Sequence, residues 1–103
     1  MGGWRGGNFD DVDSNVKAEN VLTITTTPQE AKAGATALEG RQTLRLYNKG
    51  PQKIYWGYTN AVTDVTGEPI HKGQGITLMY GPDISIYLVT ATSTADVLVR
   101  ESG

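Results

Sequence analysis

The sequence contains no cysteine among its 103 residues. This absence excludes disulfide bonds, cysteine-based zinc sites and thiol catalysis together, and it removes the cross-links on which small secreted domains commonly depend. There is also no run of about 18 apolar residues, which a membrane-spanning helix requires. The first residues, Met1-Gly-Gly-Trp-Arg-Gly-Gly, lack the apolar core of a secretion signal. We therefore expect neither export nor membrane association.

Basic charge is scarce as well. The chain has 9 Lys and Arg against 11 Asp and Glu, for a formal net charge of -2, and it lacks the basic cluster typical of nucleic-acid binders. Hydrophobic residues make up 38% of the chain, below the share of about 45–50% (counted with Gly) usual for soluble domains. Composition thus predicts one domain with a modest core, no nucleic-acid partner, and a partner surface that supplies some burial.

Strand signals begin at Val21 and recur to the C-terminus. Short alternating segments are separated by Gly and Pro turns, and no segment sustains the 3.6-residue apolar period of a helix. The sequence therefore predicts an all-β fold, a small antiparallel β-sandwich or barrel over residues 21–103. Period-two alternation assigns these residues to the core: Leu44, Leu46, Ile54, Trp56, Ile76, Leu78, Ile84, Ile86, Leu88, Val97 and Val99.

Residues 1–20 differ from the rest of the chain. They combine glycines and aspartates with isolated apolar residues and follow no helix or strand period. Such a segment carries too little apolar surface to offset the entropy of ordering it. We interpret it as an extended N-terminal arm, and two roles remain open: a terminus without a partner, or an arm that orders on a neighbouring subunit through Trp4 and Phe9.

The last strands are apolar on both faces, whereas a half-buried antiparallel sheet should be polar outside. Tyr87 and Val89 oppose the core face of their strand, and Leu98 opposes Val97 and Val99. Either a loop of the same chain covers these side chains, or they form a subunit interface. The candidate partner-binding residues are Trp4, Phe9, Tyr55, Tyr87, Val89 and Leu98.

No signal for catalysis, a cofactor or a metal is strong. His71, the only histidine, lies in a turn with no identifiable nucleophile or second ligand. The segment Asp11-Val-Asp13-Ser-Asn15 begins like a calcium loop, but Val16 and Leu22 stand where that loop needs Gly and Glu. Gly73-Gln-Gly75 lacks the rest of a dinucleotide fingerprint and is better explained as a turn that needs positive φ. We predict a protein that is not an enzyme and binds no cofactor.

A run of motifs extends from Arg41 to the C-terminus: Arg41-Gln-Thr-Leu-Arg-Leu-Tyr-Asn48, Ile54-Tyr-Trp-Gly57, Lys72-Gly-Gln-Gly75, Ile86-Tyr-Leu-Val-Thr90 and Ala95-Asp-Val-Leu-Val-Arg-Glu101. In this order they resemble the small β-sandwich structural proteins of tailed bacteriophages, which serve as head-decoration or accessory proteins. The resemblance implies a virion protein, made in the host cytoplasm, with no catalytic residues.

The function that the resemblance implies is capsid decoration, in which the protein binds the major capsid protein or another virion protein and cements the head. It also implies a homo-oligomer, with a trimer favoured by the local symmetry of icosahedral shells. The alternative is a tail-fibre, neck or spike module that binds a host receptor or glycan. An exposed Tyr55 and a mobile loop over Asn60–Pro69 would favour that alternative.

Overall fold

The computed structural model describes residues 16–103, and within that range it contains eight β-strands and no helix. The strands are β1 (Val16–Ile24), β2 (Gln29–Glu30), β3 (Thr43–Pro51), β4 (Ile54–Gly57), β5 (Glu68–Ile70), β6 (Gly75–Leu78), β7 (Tyr87–Thr90) and β8 (Ala95–Ser102). The prediction of an all-β fold is confirmed.

The strands form two four-stranded sheets in which all neighbours are antiparallel. The first sheet has the order β1-β8-β3-β6 and the second the order β2-β7-β4-β5. This order is that of a jelly roll, an eight-stranded sandwich built from two Greek keys. The core lies between the sheets because alternate residues of each strand point inward.

Most of the predicted core is confirmed. Leu44, Leu46, Ile54, Trp56, Ile86, Leu88, Val97 and Val99 are all buried, and Ile24 and Ile70 are buried with them. Ile76 and Leu78 are half-buried against this core because β6 is an edge strand. Ile84 was assigned wrongly, since its side chain is 42% exposed. The strand begins only at Tyr87, so the period-two rule does not apply at Ile84.

The N-terminal boundary of the domain differs from the prediction. β1 begins at Val16 rather than Val21, and residues 18–20 pair with residues 99–101 of β8. Residues 16–20 are therefore part of the sandwich, and their mixed polarity reflects an edge strand that is largely exposed. The remainder of the predicted arm, with Trp4, Phe9 and the aspartate cluster, lies outside the described residues.

The segment Asn48–Pro51, whose composition predicts a turn, continues β3 instead. Asn48 is fully buried, and its side chain forms hydrogen bonds with three backbone groups. The side-chain Nδ2 donates to the carbonyls of Gln52 and Ile70, both at 2.8 Å, and Oδ1 accepts from the amide of Gly50 at 2.7 Å. Gly50 adopts φ +87° at the bulge here, a backbone conformation that favours glycine.

Candidate binding surfaces

The candidate partner-binding residues lie on different faces of the sandwich. Tyr55, Tyr87 and Val89 share the outer face of the second sheet, where Tyr55 pairs with Val89. Leu98 lies on the outer face of the first sheet. Trp4 and Phe9 lie outside the described residues. The described candidates therefore do not form one continuous patch.

On the second sheet, the chain's own loop between β4 and β5 packs over part of the outer face. A Cβ added at Gly57 would lie 2.7 Å from Val62 Cγ2, and one added at Gly67 would lie 2.9 Å from the Cβ of Tyr55. Val89 is only 3% exposed. A loop of the same chain therefore covers part of this apolar face. Val62 of the loop packs against Gly57, and Gly67 packs against Tyr55. Tyr55 is half-buried rather than exposed.

The first sheet presents a row of three side chains on its outer face. Leu98 of β8 is flanked by its cross-strand partners Val21 of β1 and Tyr47 of β3. Val21 is 46% exposed, and the other two are half-buried. We call Val21, Leu98 and Tyr47 the outer apolar row. These apolar side chains lie on a strand face that should be polar by alternation.

A charged row runs beside the outer apolar row. Arg100 Nε donates to Glu19 Oε1 at 2.9 Å, and the next residue across the sheet is Arg45. Arg45 Nη1 donates to Thr77 Oγ1 at 3.1 Å, and it forms no salt bridge with any residue in 16–103. Like charges directly opposite on a sheet are destabilising. A carboxylate from a partner would relieve that repulsion.

Arg41 and Glu101 form a buried ion pair at one end of the sandwich. Arg41 Nη1 lies 2.9 Å from Glu101 Oε2, and both side chains are at most 1% exposed. The carboxylate also accepts from the amides of Ala33 and Leu38, at 2.9 and 3.0 Å. Burial alone would raise the pKa of Glu101, but these amides and the Arg41 guanidinium together hold that pKa below its usual value of 4.5.

The other donors of Arg41 fix the segment that leads into β7. Nε donates to the carbonyl of Tyr80 at 3.1 Å, and Nη2 donates to the carbonyls of Gly81 and Ile84 at 2.7 and 3.0 Å. Because each carbonyl needs a partner when water is excluded, the guanidinium fixes the path of this segment. Every described polar contact of the pair is thus within the domain, which makes it a structural element rather than a reactive one.

Three aromatic rings meet at the same end of the sandwich. The Tyr58 ring makes edge contacts with Trp56 and Tyr80, with ring centres 5.4 and 5.9 Å apart. The hydroxyls of Tyr58 and Tyr80 are hydrogen-bonded at 2.7 Å. This hydrogen bond raises the pKa of Tyr58 above its usual value of 10.0. Tyr58 is nevertheless 54% exposed, so its ring is held in place while it faces solvent.

Open clefts adjoin the Tyr58 ring. The larger one, of about 510 Å³, is lined by Tyr58, Thr59, Asn60, Asp83, Ile84, Ser85 and Tyr87. A smaller one, of about 270 Å³, shares Tyr58 and Thr59 and adds Trp56, Gly57, Val62, Thr66 and Glu68. Of the candidate partner-binding residues that lie within 16–103, only Tyr87 contributes to either cleft.

Candidate metal ligands do not cluster in the part of the chain that the structure describes. Within residues 16–103, no group of three or more His, Cys, Asp or Glu side chains is arranged to hold a metal ion. His71 is exposed, and its amide donates to Gln74 Oε1 at 2.9 Å in the turn between β5 and β6. Gly73 in that turn has φ +81°, as its composition predicts. In this same range, no helix long and apolar enough to cross a membrane is present.

Period-two alternation could have identified two of the residues that the sequence analysis missed. Glu101 continues the inward series Ala95, Val97 and Val99, and Asn48 continues the series Leu44 and Leu46. A polar side chain in such a position needs a buried partner. Their partners come from distant parts of the chain, and no local pattern identifies those. For Tyr58, the only indication in the sequence is its position beside the aromatic residues Tyr55 and Trp56.

The chain matches no protein-family model, no curated protein and no solved structure.

Proposed function

We propose that the protein is a non-enzymatic bacteriophage virion protein that decorates the capsid. The observation that carries the proposal is the outer apolar row, Val21, Leu98 and Tyr47, bordered by the Arg45 guanidinium. The order of motifs from Arg41 onward supports a phage structural protein. Jelly rolls occur in viral capsid and lectin domains alike, so the fold is compatible with this function but does not select it.

The mechanism is adhesion through the first sheet. The outer apolar row removes surface from water on contact, at about 25 cal/mol per Å². Arg45 favours an acidic patch on the capsid protein, because a carboxylate of the partner would reduce the repulsion between the Arg45 and Arg100 guanidinium groups. The N-terminal residues, with Trp4 and Phe9, contribute a second contact to the shell or to an adjacent copy. Copies associate as a closed oligomer, and we favour a trimer.

Charge reversal at Arg45 tests this proposal. Arg45→Glu places a carboxylate opposite Arg100, so the fold should be at least as stable as before. We expect the variant to lose binding to capsids that lack the protein, measured by co-sedimentation. Lys53→Glu, an equal change of charge at an exposed position next to the second sheet, should bind normally.

A cryo-electron map of the virion tests the location directly. Density for the protein on the head, with the first sheet against the shell, is the expected result. Equal binding by Arg45→Glu and the unaltered protein would contradict the assigned face. Absence of the protein from purified virions would contradict the function itself.

The second candidate is a tail-fibre, neck or spike module that binds a host receptor or glycan. The specific observation in its favour is the exposed Tyr58 ring beside two clefts, rather than the half-buried Tyr55. In that case, the same map would show the protein on the tail.

A further inference from the structure

The Tyr58 clefts have the features of a prepared binding site. A ligand site commonly combines an apolar or aromatic surface with a few fixed polar groups. Here the Tyr58 ring is more than half exposed, yet it is held by Trp56, by Tyr80 and by a hydroxyl–hydroxyl hydrogen bond. Because the ring is already ordered, a ligand that contacts it loses little further side-chain entropy from the protein.

A second part of the larger cleft's lining is fixed by the buried ion pair. Asp83, Ile84 and Ser85 line the cleft, and the segment that carries them is bonded to the Arg41 side chain at Gly81 and Ile84. Arg41 is in turn held by Glu101, which is fully buried. Both the Tyr58 ring and the segment with residues 83–85 are therefore positioned by contacts within the domain.

The lining indicates the charge of the ligand. Asp83 and Asn60 line the larger cleft and Glu68 the smaller, whereas no Lys, Arg or His among residues 16–103 lines either cleft. Carboxylates repel anionic ligands and accept hydrogen bonds from hydroxyl or amine donors. Phosphorylated, sulfated and sialylated ligands are thus disfavoured.

The combination of one solvent-facing ring with surrounding acceptors and hydroxyls matches a sugar. A pyranose presents an apolar C–H face that packs on an aromatic ring and a rim of hydroxyl donors. A proline-rich peptide instead needs an aromatic-lined groove, and in the larger cleft polar side chains outnumber aromatic rings. We infer that the cleft between Tyr58 and Asp83 binds a neutral carbohydrate.

This site is separate from the proposed capsid-binding face. Its residues belong to the second sheet and to the loops at one end of the sandwich, whereas the outer apolar row lies on the first sheet. Sugar binding and capsid binding can thus be lost independently. Failure of one proposal does not affect the other.

The test is a titration of the full-length ¹⁵N-labelled protein with neutral oligosaccharides of glucose, galactose, mannose and N-acetylglucosamine. We expect at least one series to shift the amide signals of residues 57–60 and 83–87. Tyr58→Ala should weaken that binding by about tenfold or more, while Tyr58→Phe, which keeps the ring, should retain most of it. Tyr47→Ala, on the first sheet, is the matched control and should bind sugar normally.

Asp83→Ala provides a second loss variant at an exposed position, and it is decisive if the spectrum of Tyr58→Ala shows an unfolded chain. Sialylated and sulfated oligosaccharides and a proline-rich peptide serve as competing probes. The inference is overturned if no neutral probe shifts these signals. It is also overturned if the folded Tyr58 or Asp83 variant binds as before, or if a competing probe binds the cleft more tightly.

Discussion

Arg41 Nη1 donates to Glu101 Oε2 at 2.9 Å inside the sandwich, at the end where β3 begins and β8 ends. A buried ion pair is stabilising only when its remaining donors and acceptors are also satisfied. Here the carboxylate accepts from the amides of Ala33 and Leu38, and the guanidinium donates to three carbonyls of residues 80–84. One pair therefore joins two irregular segments to the last strand.

Glu101→Gln should destabilise the domain strongly. The change leaves the Arg41 guanidinium buried without its counter-charge, and breaking a buried pair in this way costs about 3–5 kcal/mol. The free energy of unfolding in urea measures the effect. Glu19→Gln is the matched control, because Glu19 pairs with Arg100 at the surface and should cost no more than about 1 kcal/mol. Equal losses in the two variants would contradict the structural role of Glu101.

The same carboxylate should make stability depend on pH. Because the pKa of Glu101 is lower in the folded than in the unfolded chain, its contribution is present above about pH 4.5. As the pH falls toward the folded-state pKa, the unfolded state binds more protons and the free energy of unfolding decreases. Urea titrations from neutral pH to about pH 3 should show the difference between the unaltered protein and Glu101→Gln shrinking with acidity. A constant difference would contradict the lowered pKa.

Local alternation was sufficient to predict the fold class because both sheets are half-exposed. In β3, β4 and β8 the apolar residues recur at every second position, and in the structure these side chains are the buried ones. The prediction was wrong where long-range contacts override the local pattern. Asn48 lies in a segment with turn composition, yet its side chain bonds to Ile70 across the sandwich. Residues 16–20 of the edge strand β1 are recognisable as a strand only from their pairing with β8.

The candidate surfaces were less predictable from sequence than the fold. Excess apolar residues in the last strands indicated outer faces that either a loop of the same chain covers or a partner binds, and the structure shows such a loop over part of the second sheet. Which face is covered depends on where Val62 folds back, and sequence does not specify that. Alternation from Ile54 and Trp56 would place Tyr58 on the same buried face, but Tyr58 lies just past the end of β4 and its side chain is exposed.

Two isoleucines that lie two positions apart in one segment test the core assignment. Ile86 is 1% exposed, and Ile84 is 42% exposed. Ile86→Ala should lower the free energy of unfolding by about 2–5 kcal/mol, through lost transfer energy and a cavity. Ile84→Ala removes the same atoms from a partly exposed site and should have a smaller effect. An unchanged urea midpoint for Ile86→Ala would contradict its place in the core.

Two truncations separate the N-terminal residues from the sandwich. Deleting residues 2–20 removes the start of β1, including Glu19 and its ion pair with Arg100. We expect that truncation to lower the thermal midpoint, because the first sheet loses part of its edge strand. Deleting residues 2–15 keeps every described strand pair and should leave the midpoint nearly unchanged. A circular-dichroism melt distinguishes the two.

The shorter truncation also removes Trp4 and Phe9, which we propose as anchors on a neighbouring copy or on the shell. Burying each ring contributes on the order of 1.5–3 kcal/mol, less the entropy of fixing the glycines around Trp4. The truncated protein should therefore fold normally but bind capsids more weakly in co-sedimentation. Trp4→Ala and Phe9→Ala in the full chain should each reproduce part of that loss. If the chain without residues 2–15 binds as tightly as the full chain, adhesion depends on the first sheet alone, and Arg45→Glu becomes the variant that abolishes it.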